Sequence, residues 1–296
     1  MKHMVNPFDL PGRWFKANLH THTTHSDGKL PAFLRVDQYA RAGYDVLAIT
    51  DHYETNRLKN VDPRGLVLIR GLEYHPKCPT SSNPYHLVGL NVPPDFALSE
   101  SDLARPNRAI AKVRKAGGLT ILAHPFWCGH AFADVRKLKG IEAVEVYNAT
   151  GERHGRPCSE NEWAYALEHG MEVPCVAVDD AHLEEGVDVC AAWTWLRMEE
   201  RAPEAALEAI RRGASYASHG PEINDFGVRD GRLEIRCSPA AKVVFMSTAP
   251  RGAYEFAEEG EAVESFGIDK PDWSWVRAVV TDAAGRRAWT NPIALD

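Results

Sequence analysis

The sequence predicts an α/β barrel followed by a small antiparallel β module, and three observations predict it. Up to about residue 213, short apolar runs alternate with helical patterns, the signature of parallel strands joined by crossover helices. One apolar run after another ends in a histidine or a carboxylate, and barrel enzymes carry their chemistry at strand ends. After Gly220, strand-like segments follow one another with no helical pattern between them.

In chain order, the expected strands are residues 15–20, 45–50, 66–71, 86–91, 119–124, 141–147, 173–178 and 191–196. Helices are expected at 31–42, 101–116, 160–169 and 203–212. Pro31 and Pro203 suit first-turn positions, and Gly43, Gly117, Gly170 and Gly213 suit helix ends. Seven or eight such units favour a barrel over an open sheet. The tail offers strands at 233–237, 242–246, 275–281 and 288–291, with a hairpin turn at 282–285. The division is therefore a barrel over residues 1–220 and a β module over 221–296.

At 296 residues the chain can bury a large core, and its 25% charged and 44% hydrophobic composition is that of a soluble globular protein. A net charge of −7 argues against a general nucleic-acid binder. The first residues lack the apolar core of a signal peptide, and no apolar run reaches membrane-spanning length. The six cysteines (78, 128, 158, 175, 190 and 237) form no Cys-x-x-Cys pair. A reduced, cytoplasmic protein with a small-molecule substrate and no membrane partner is expected.

The strongest local signal runs from Asn18 to Gly28. Residues two apart on a strand share a face, so His20 and His22 can converge on one ion. Further ligands stand at other strand ends: His52 beside Asp51, Glu73, His86, His124 before Pro125, and Asp180 with His182. Asp51 and His52 are neighbours and face different ways, which makes His52 the ligand and Asp51 a support steadying an imidazole. Asp180 and His182 can both face inward, with Asp179 behind. Asp27 is the expected ligand one turn after His22, with His25 left open. A mixed imidazole and carboxylate set suits Mn, Fe or Zn.

At this point the chain resembles the polymerase-and-histidinol-phosphatase (PHP) superfamily. The motifs are His20-Thr-His22 with Ser26-Asp27-Gly28, Thr50-Asp51-His52, Gly71-Leu-Glu73, His86-Leu, Ala123-His124-Pro125 and Asp180-Ala-His182, in family order over about residues 15–182. The resemblance implies a distorted (β/α)7 TIM-like barrel holding two or three divalent ions. It would put His20, His22, Glu73 and Asp180 on one ion, with Glu73 bridging to a second held by His86 and His124. Asp27, His52 and His182 would hold the third. Tyr216 to Pro221, Trp275-Val-Arg277 and Trp289-Thr-Asn-Pro292 also resemble the carbaryl-hydrolase-like branch, which includes enzymes that cut carbamate esters.

The expected activity is hydrolysis of a small phosphate ester by a metal-bridging hydroxide, with Glu73 and Asp180 as catalytic carboxylates. Metal binding brings the pKa of water towards about 7. The alternatives are a carboxyl or carbamate ester hydrolase on the same site, or a non-catalytic metal- or phosphate-binding module. His130 is a candidate proton donor to the leaving group. Arg153, His154 and Arg156 lie in a glycine-flanked segment suited to substrate contact, and His219 reaches either the mouth or the domain junction. Trp127 and Tyr147 are aromatic candidates for stacking, His75 and Glu145 for support, and His3 and His169 for the surface.

Overall fold

Strand burial follows the apolar runs. The computed structural model describes residues 4–55 and 58–295, and His3 lies outside them. Among the described residues, nine strands make the first part: β1 (Arg13–Asn18), β2 (Val46–Ile49), β3 (Val67–Tyr74), β4 (Leu87–Leu90), β5 (Leu119–Leu122), β6 (Ala143–Asn148), β7 (Cys175–Val178), β8 (Trp193–Met198) and β9 (Ser215–Ser218). Every residue of β2, β4, β5, β6 and β7 is buried, as strands covered on both faces require.

The strands are not all parallel, which corrects the sequence expectation. β1, β2 and β3 pair in parallel, and so do β5, β6 and β7. β4 runs antiparallel between β3 and β5, and β8 runs antiparallel beside β1. The reversal of β4 has a chemical consequence. His86 precedes this strand, so reversal brings it to the rim where β3 and β5 end in Glu73 and His124. Past β1 and β7, His22 N–H donates to the Ala181 carbonyl (3.0 Å) and Asp180 N–H to the His20 carbonyl (2.9 Å). These bonds set the ends of the first and seventh strands side by side.

The helices are α1 (Ala32–Arg41), α2 (Glu100–Leu103), α3 (Pro106–Lys115), α4 (Phe132–Val135), α5 (Glu160–Glu168) and α6 (Pro203–Arg212). The single helix expected at 101–116 is two, because Pro106 has no N–H to continue α2 and instead starts α3. Among the described residues no helix is long and apolar enough to cross a membrane.

The tail contributes β10 (Ile223–Arg229), β11 (Arg232–Ala240), β12 (Lys242–Met246), β13 (Gly252–Phe256), β14 (Val263–Asp269), β15 (Trp275–Thr281), β16 (Arg287–Thr290) and β17 (Ile293–Ala294). β10, β11 and β14 form one antiparallel sheet. β13, β12, β15 and β16 continue the main sheet, because β16 pairs with β9. The two layers enclose Phe226, Leu233, Ile235, Phe245 and Val280. The expected turn joins β15 to β16, with Gly285 at φ 80°, where a side chain would be strained.

A buried ionic knot ties the tail to α5. Glu160 accepts from Arg277 Nη1, Arg287 Nη1 and Trp289 Nε1, each at 3.0 Å. Arg277 is only 1% exposed. Glu160→Ala leaves that guanidinium buried without its carboxylate, which should cost about 3–5 kcal/mol. The expected result is a lower urea midpoint with an unchanged m value. A midpoint within error of wild type would show that the knot contributes nothing.

Candidate metal centre

The chain past β1 alternates as a strand would. Thr21 turns outward and its hydroxyl bonds the Ala48 carbonyl. His20 and His22 turn inward, with their Nε2 atoms 3.1 Å apart. Gly28 makes the following loop possible. A Cβ there would fall 2.5 Å from the His22 carbonyl. On β3 and past β7, Glu73 and Asp180 meet this pair. Asp180 Oδ1 lies 3.2 Å from His20 Nε2 and 3.0 Å from His22 Nε2. Glu73 Oε2 lies 3.4 and 3.3 Å from the same two atoms.

These separations of 3.0–3.4 Å come close to the spacing of a coordination shell. Ligands about 2.0–2.2 Å from an ion in tetrahedral array stand about 3.3–3.6 Å apart. Asp180 Oδ1 is buried with no hydrogen-bond partner, a costly state that a cation would relieve. His124 and Asp180 also sit at φ 27° and 54°, and such backbone strain clusters at functional sites. The residues therefore suit a divalent ion.

Two further groups adjoin the first. Glu73 Oε1 is 2.8 Å from His86 Nδ1 and 3.6 Å from His124 Nε2. Asp27 Oδ2 is 3.4 Å from both His52 Nε2 and His182 Nε2. Glu73 is thus shared, with His52 Nδ1 also 3.1 Å from its Oε2. All nine sequence-predicted ligands meet in one place. His25 does not join them: its Nε2 pairs with Glu54 at 3.2 Å on the exposed side.

Neighbouring groups set each imidazole's working face. His20 Nδ1 meets Glu145 Oε1 at 2.7 Å, and His182 Nδ1 donates to the Asp180 carbonyl at 2.7 Å. Both leave Nε2 for the centre. The second Glu145 oxygen accepts from the His124 backbone N–H at 3.0 Å and from Asn148 Nδ2 at 2.8 Å. Asp51 accepts from Thr23 N–H (2.7 Å) and from Ser26 Oγ (2.8 Å). Ser26 Oγ in turn stands 3.4 Å from His22 Nδ1, so Asp51 reaches that imidazole through a serine.

The cluster as it stands demands positive charge. Burial opposes protonation of His22, but Asp180 and Glu73 outweigh it and lift its pKa to about 9. Burial likewise opposes His20, and Asp180, Glu145 and Glu73 hold it well above the ordinary range. Burial would raise Glu73 and Asp180, yet the imidazoles around them, His20 foremost, hold both low. Protons and metal ions compete for the same nitrogens.

A cavity of about 270 Å³ opens over Glu73, Asp180 and four of the imidazoles. Trp127, Asn148, Thr150, Arg153 and His154 also line it. Arg153 is loosely held, its Nη2 3.8 Å from the buried Asp188. His154 Nδ1 accepts from Trp127 Nε1 at 3.1 Å, which leaves its proton on Nε2.

Three expected contacts lie elsewhere. His130 is 2% exposed and sits behind the site, its Nε2 2.9 Å from the Pro84 carbonyl. It does not line the cavity, so it faces no substrate held there. Arg156 lies with its guanidinium 5.6 Å from the Phe126 ring centre and does not line the cavity. His219 belongs to the junction. It stacks on Tyr147 at 4.0 Å, and its Nε2 accepts from Arg287 N–H at 2.8 Å. Burial, then Arg287, lower it to about 4. Tyr147 therefore packs against the tail.

Sequence reasoning missed Asn148, Thr150, Asp188 and Arg35. Asn148 Nδ2 bonds Asp180 Oδ2 (3.2 Å) as well as Glu145. Asp188 Oδ2 accepts from Thr150 Oγ1 and His182 N–H, both at 3.1 Å. Arg35, fully buried in α1, donates to the carbonyls of His22 (3.3 Å) and Leu183 (2.9 Å), clamping two ligand loops together. The nearest sequence signal is an arginine three residues into an amphipathic helix, which says nothing of that contact.

No family model matches the chain, and no curated protein matches it. One solved structure shares its fold, and others align with it in part. A two-domain protein from Bacteroides vulgatus, containing a predicted PHP-like metal-dependent phosphoesterase, aligns over 95% of this chain and 94% of its own. The TM-score is 0.55 at 15% identity. An amidohydrolase from Chromobacterium violaceum aligns over 58% of this chain and 89% of its own, with TM-score 0.45 and 18% identity. A lesion-specific endonuclease from Pyrococcus furiosus aligns over 67% of this chain and 56% of its own, with TM-score 0.47 and 13% identity.

Proposed function

We propose that the chain is a PHP-superfamily hydrolase that uses two or three divalent ions (Mn, Fe or Zn) to cleave a small phosphate ester. A distorted (β/α)7 barrel over residues 1–220 would carry the site, and the module over 221–296 would brace it through Glu160 and His219. What carries the phosphate reading is charge. Asp27, Glu73 and Asp180 supply three negative charges, whereas two or three divalent ions supply four or six. With the buried Glu145 counted as a fourth negative charge, the loaded cleft is neutral to about +2 before Arg153 adds its own charge. A phosphate dianion suits that field.

Bound ions would supply an activated water at neutral pH and neutralise phosphate oxygens. The protein's own part is to hold and to donate. Glu73 offers an oxygen to each of two ligand groups. Glu145 and Asn148 keep His20 and Asp180 aimed at the centre. Arg153 takes a phosphate oxygen, and His154 offers its Nε2 proton to the substrate. The cavity's 270 Å³ suits a small ester.

Metal-loaded protein should hydrolyse p-nitrophenyl phosphate and leave a 1-naphthyl carbamate intact. Carbamate turnover without phosphatase activity would replace this reading with the ester-hydrolase one. Bound metal with no turnover of either, or of a wider phosphoester panel, would leave a binding module. Arg153→Ala should raise KM about 10- to 100-fold, the worth of one charged hydrogen bond, with kcat nearly unchanged. Wild-type KM would remove Arg153 from the substrate.

A further inference from the structure

We infer that His75 is a further metal ligand, which completes the second group around Glu73; the inference rests on the metal-hydrolase reading above. Glu73 and His75 stand two apart where β3 ends, the spacing that turns His20 with His22, and Asp180 with His182, to one face. Tyr74 between them points the other way, fully buried, with its hydroxyl 3.2 Å from Thr120 Oγ1. His75 Nε2 is buried without a hydrogen-bond partner. It lies 3.4 Å from Glu73 Oε1. His86 Nδ1 and His124 Nε2 approach the same oxygen at 2.8 and 3.6 Å. Three imidazole nitrogens thus surround one carboxylate oxygen.

The other side of the ring is fixed. His75 Nδ1 meets the Tyr53 hydroxyl at 2.8 Å, so with Nδ1 donating to that oxygen the lone pair of Nε2 is free for an ion. Metal-bound histidines hold their second nitrogen in this way. Tyr53 reaches this position at φ 60°, a backbone state unfavourable for its side chain. The His75 ring also packs flat on His86, with centroids 3.7 Å apart and planes 18° apart. A purely packed histidine would explain the stacking but leave the buried Nε2 facing Glu73 Oε1 at 3.4 Å with no hydrogen bond formed. Three imidazoles with one carboxylate favour a borderline ion such as Zn or Fe over Mg or Mn, so His75 sets the preference of this group.

The test counts ions rather than turnovers. Chelated protein is reloaded with Zn or Co, ions per chain are measured by elemental analysis, and the Co form is followed by visible absorption. His75→Asn and His75→Ala should each lose one ion per chain relative to wild type, alter the Co spectrum and shift Zn–Mn competition towards Mn. Added imidazole should restore the ion to His75→Ala, a result that a fold defect would not give. Tyr53→Phe should keep the count and weaken binding about 10- to 100-fold. Variants that bind the same number of ions with wild-type affinity and spectrum overturn the role of His75 alone. Wild-type protein that binds no ion overturns the proposed function itself, and His75 with it.

Discussion

Glu73→Gln is expected to abolish hydrolysis and to lower the metal content together. The carboxylate is buried to 1% exposure. Its Oε2 stands within 3.1–3.4 Å of His20, His22 and His52, and its Oε1 within 2.8–3.6 Å of His75, His86 and His124. Asp180 also reaches two groups, its Oδ1 3.0–3.2 Å from His22 and His20 and its Oδ2 3.7 Å from His124, but it meets fewer imidazoles than Glu73 does. Glutamine keeps the volume, so packing survives. It removes one negative charge and replaces an acceptor with an NH2 that faces imidazole nitrogens. The loss of kcat/KM should exceed the ~10²–10³-fold that follows loss of one preorganised oxyanion donor. Elemental analysis should show fewer ions per chain. Asp27→Asn makes the contrast, because Asp27 is half exposed and approaches the first group only at 3.6 Å, from its Oδ1 to His22 Nδ1. Unchanged turnover in Glu73→Gln would refute the shared carboxylate.

The clustering of these side chains was legible in the sequence because a strand's period is local. His20 with His22, and Asp180 with His182, announce a shared face by spacing alone. His86 stood out as a ligand that starts an apolar run instead of ending one. The structure explains it by the reversed β4, an outcome the run itself does not encode. Pairing direction is decided by partners distant in the chain, and so the antiparallel β4 and β8 escaped a reading based on period. The same limit hid Asn148, Asp188 and Arg35. Their value lies largely in contacts 32, 38 and 148 residues away, and nothing beside them in the chain marks it. His130 erred in the opposite sense, and His219 took the second of its two expected places, the junction. A histidine near a ligand motif looks available until burial is known. In the tail, Gly252–Phe256 was missed because its strand is an exposed edge, where apolar alternation is weak. Ile223–Arg229 was missed because Asn224, Asp225 and Gly227 read as a turn.

Removing the metal should destabilise the fold by an amount that grows with pH. Each ion bound at a hundred times its Kd stabilises by about 2.7 kcal/mol, which for a chain of this size corresponds to roughly 5–10 °C in Tm. The chelated protein must then satisfy the same carboxylates with protons on His20 and His22. His22 is raised from 6.5 to about 9, and a raised histidine stabilises the folded state fully below pH 6.5 and ceases to do so as pH climbs through 9. Glu73 and Asp180 are held below their ordinary values of 4.5 and 3.8. They therefore stabilise above those values and less as pH falls through them. The chelated protein should accordingly be most stable near pH 6.5, because His86 and His219, both lowered to about 4, withdraw stability as pH falls below 6.5, and it should lose Tm towards pH 9. The loaded protein should respond in the other direction, because every proton leaving an imidazole removes a competitor for the ion. The Tm gap between loaded and chelated protein, followed by calorimetry from pH 6 to 9, should widen steadily. A constant gap, or a chelated protein that gains stability across that range, would mean that the buried imidazoles hold neither the protons nor the ions assigned to them.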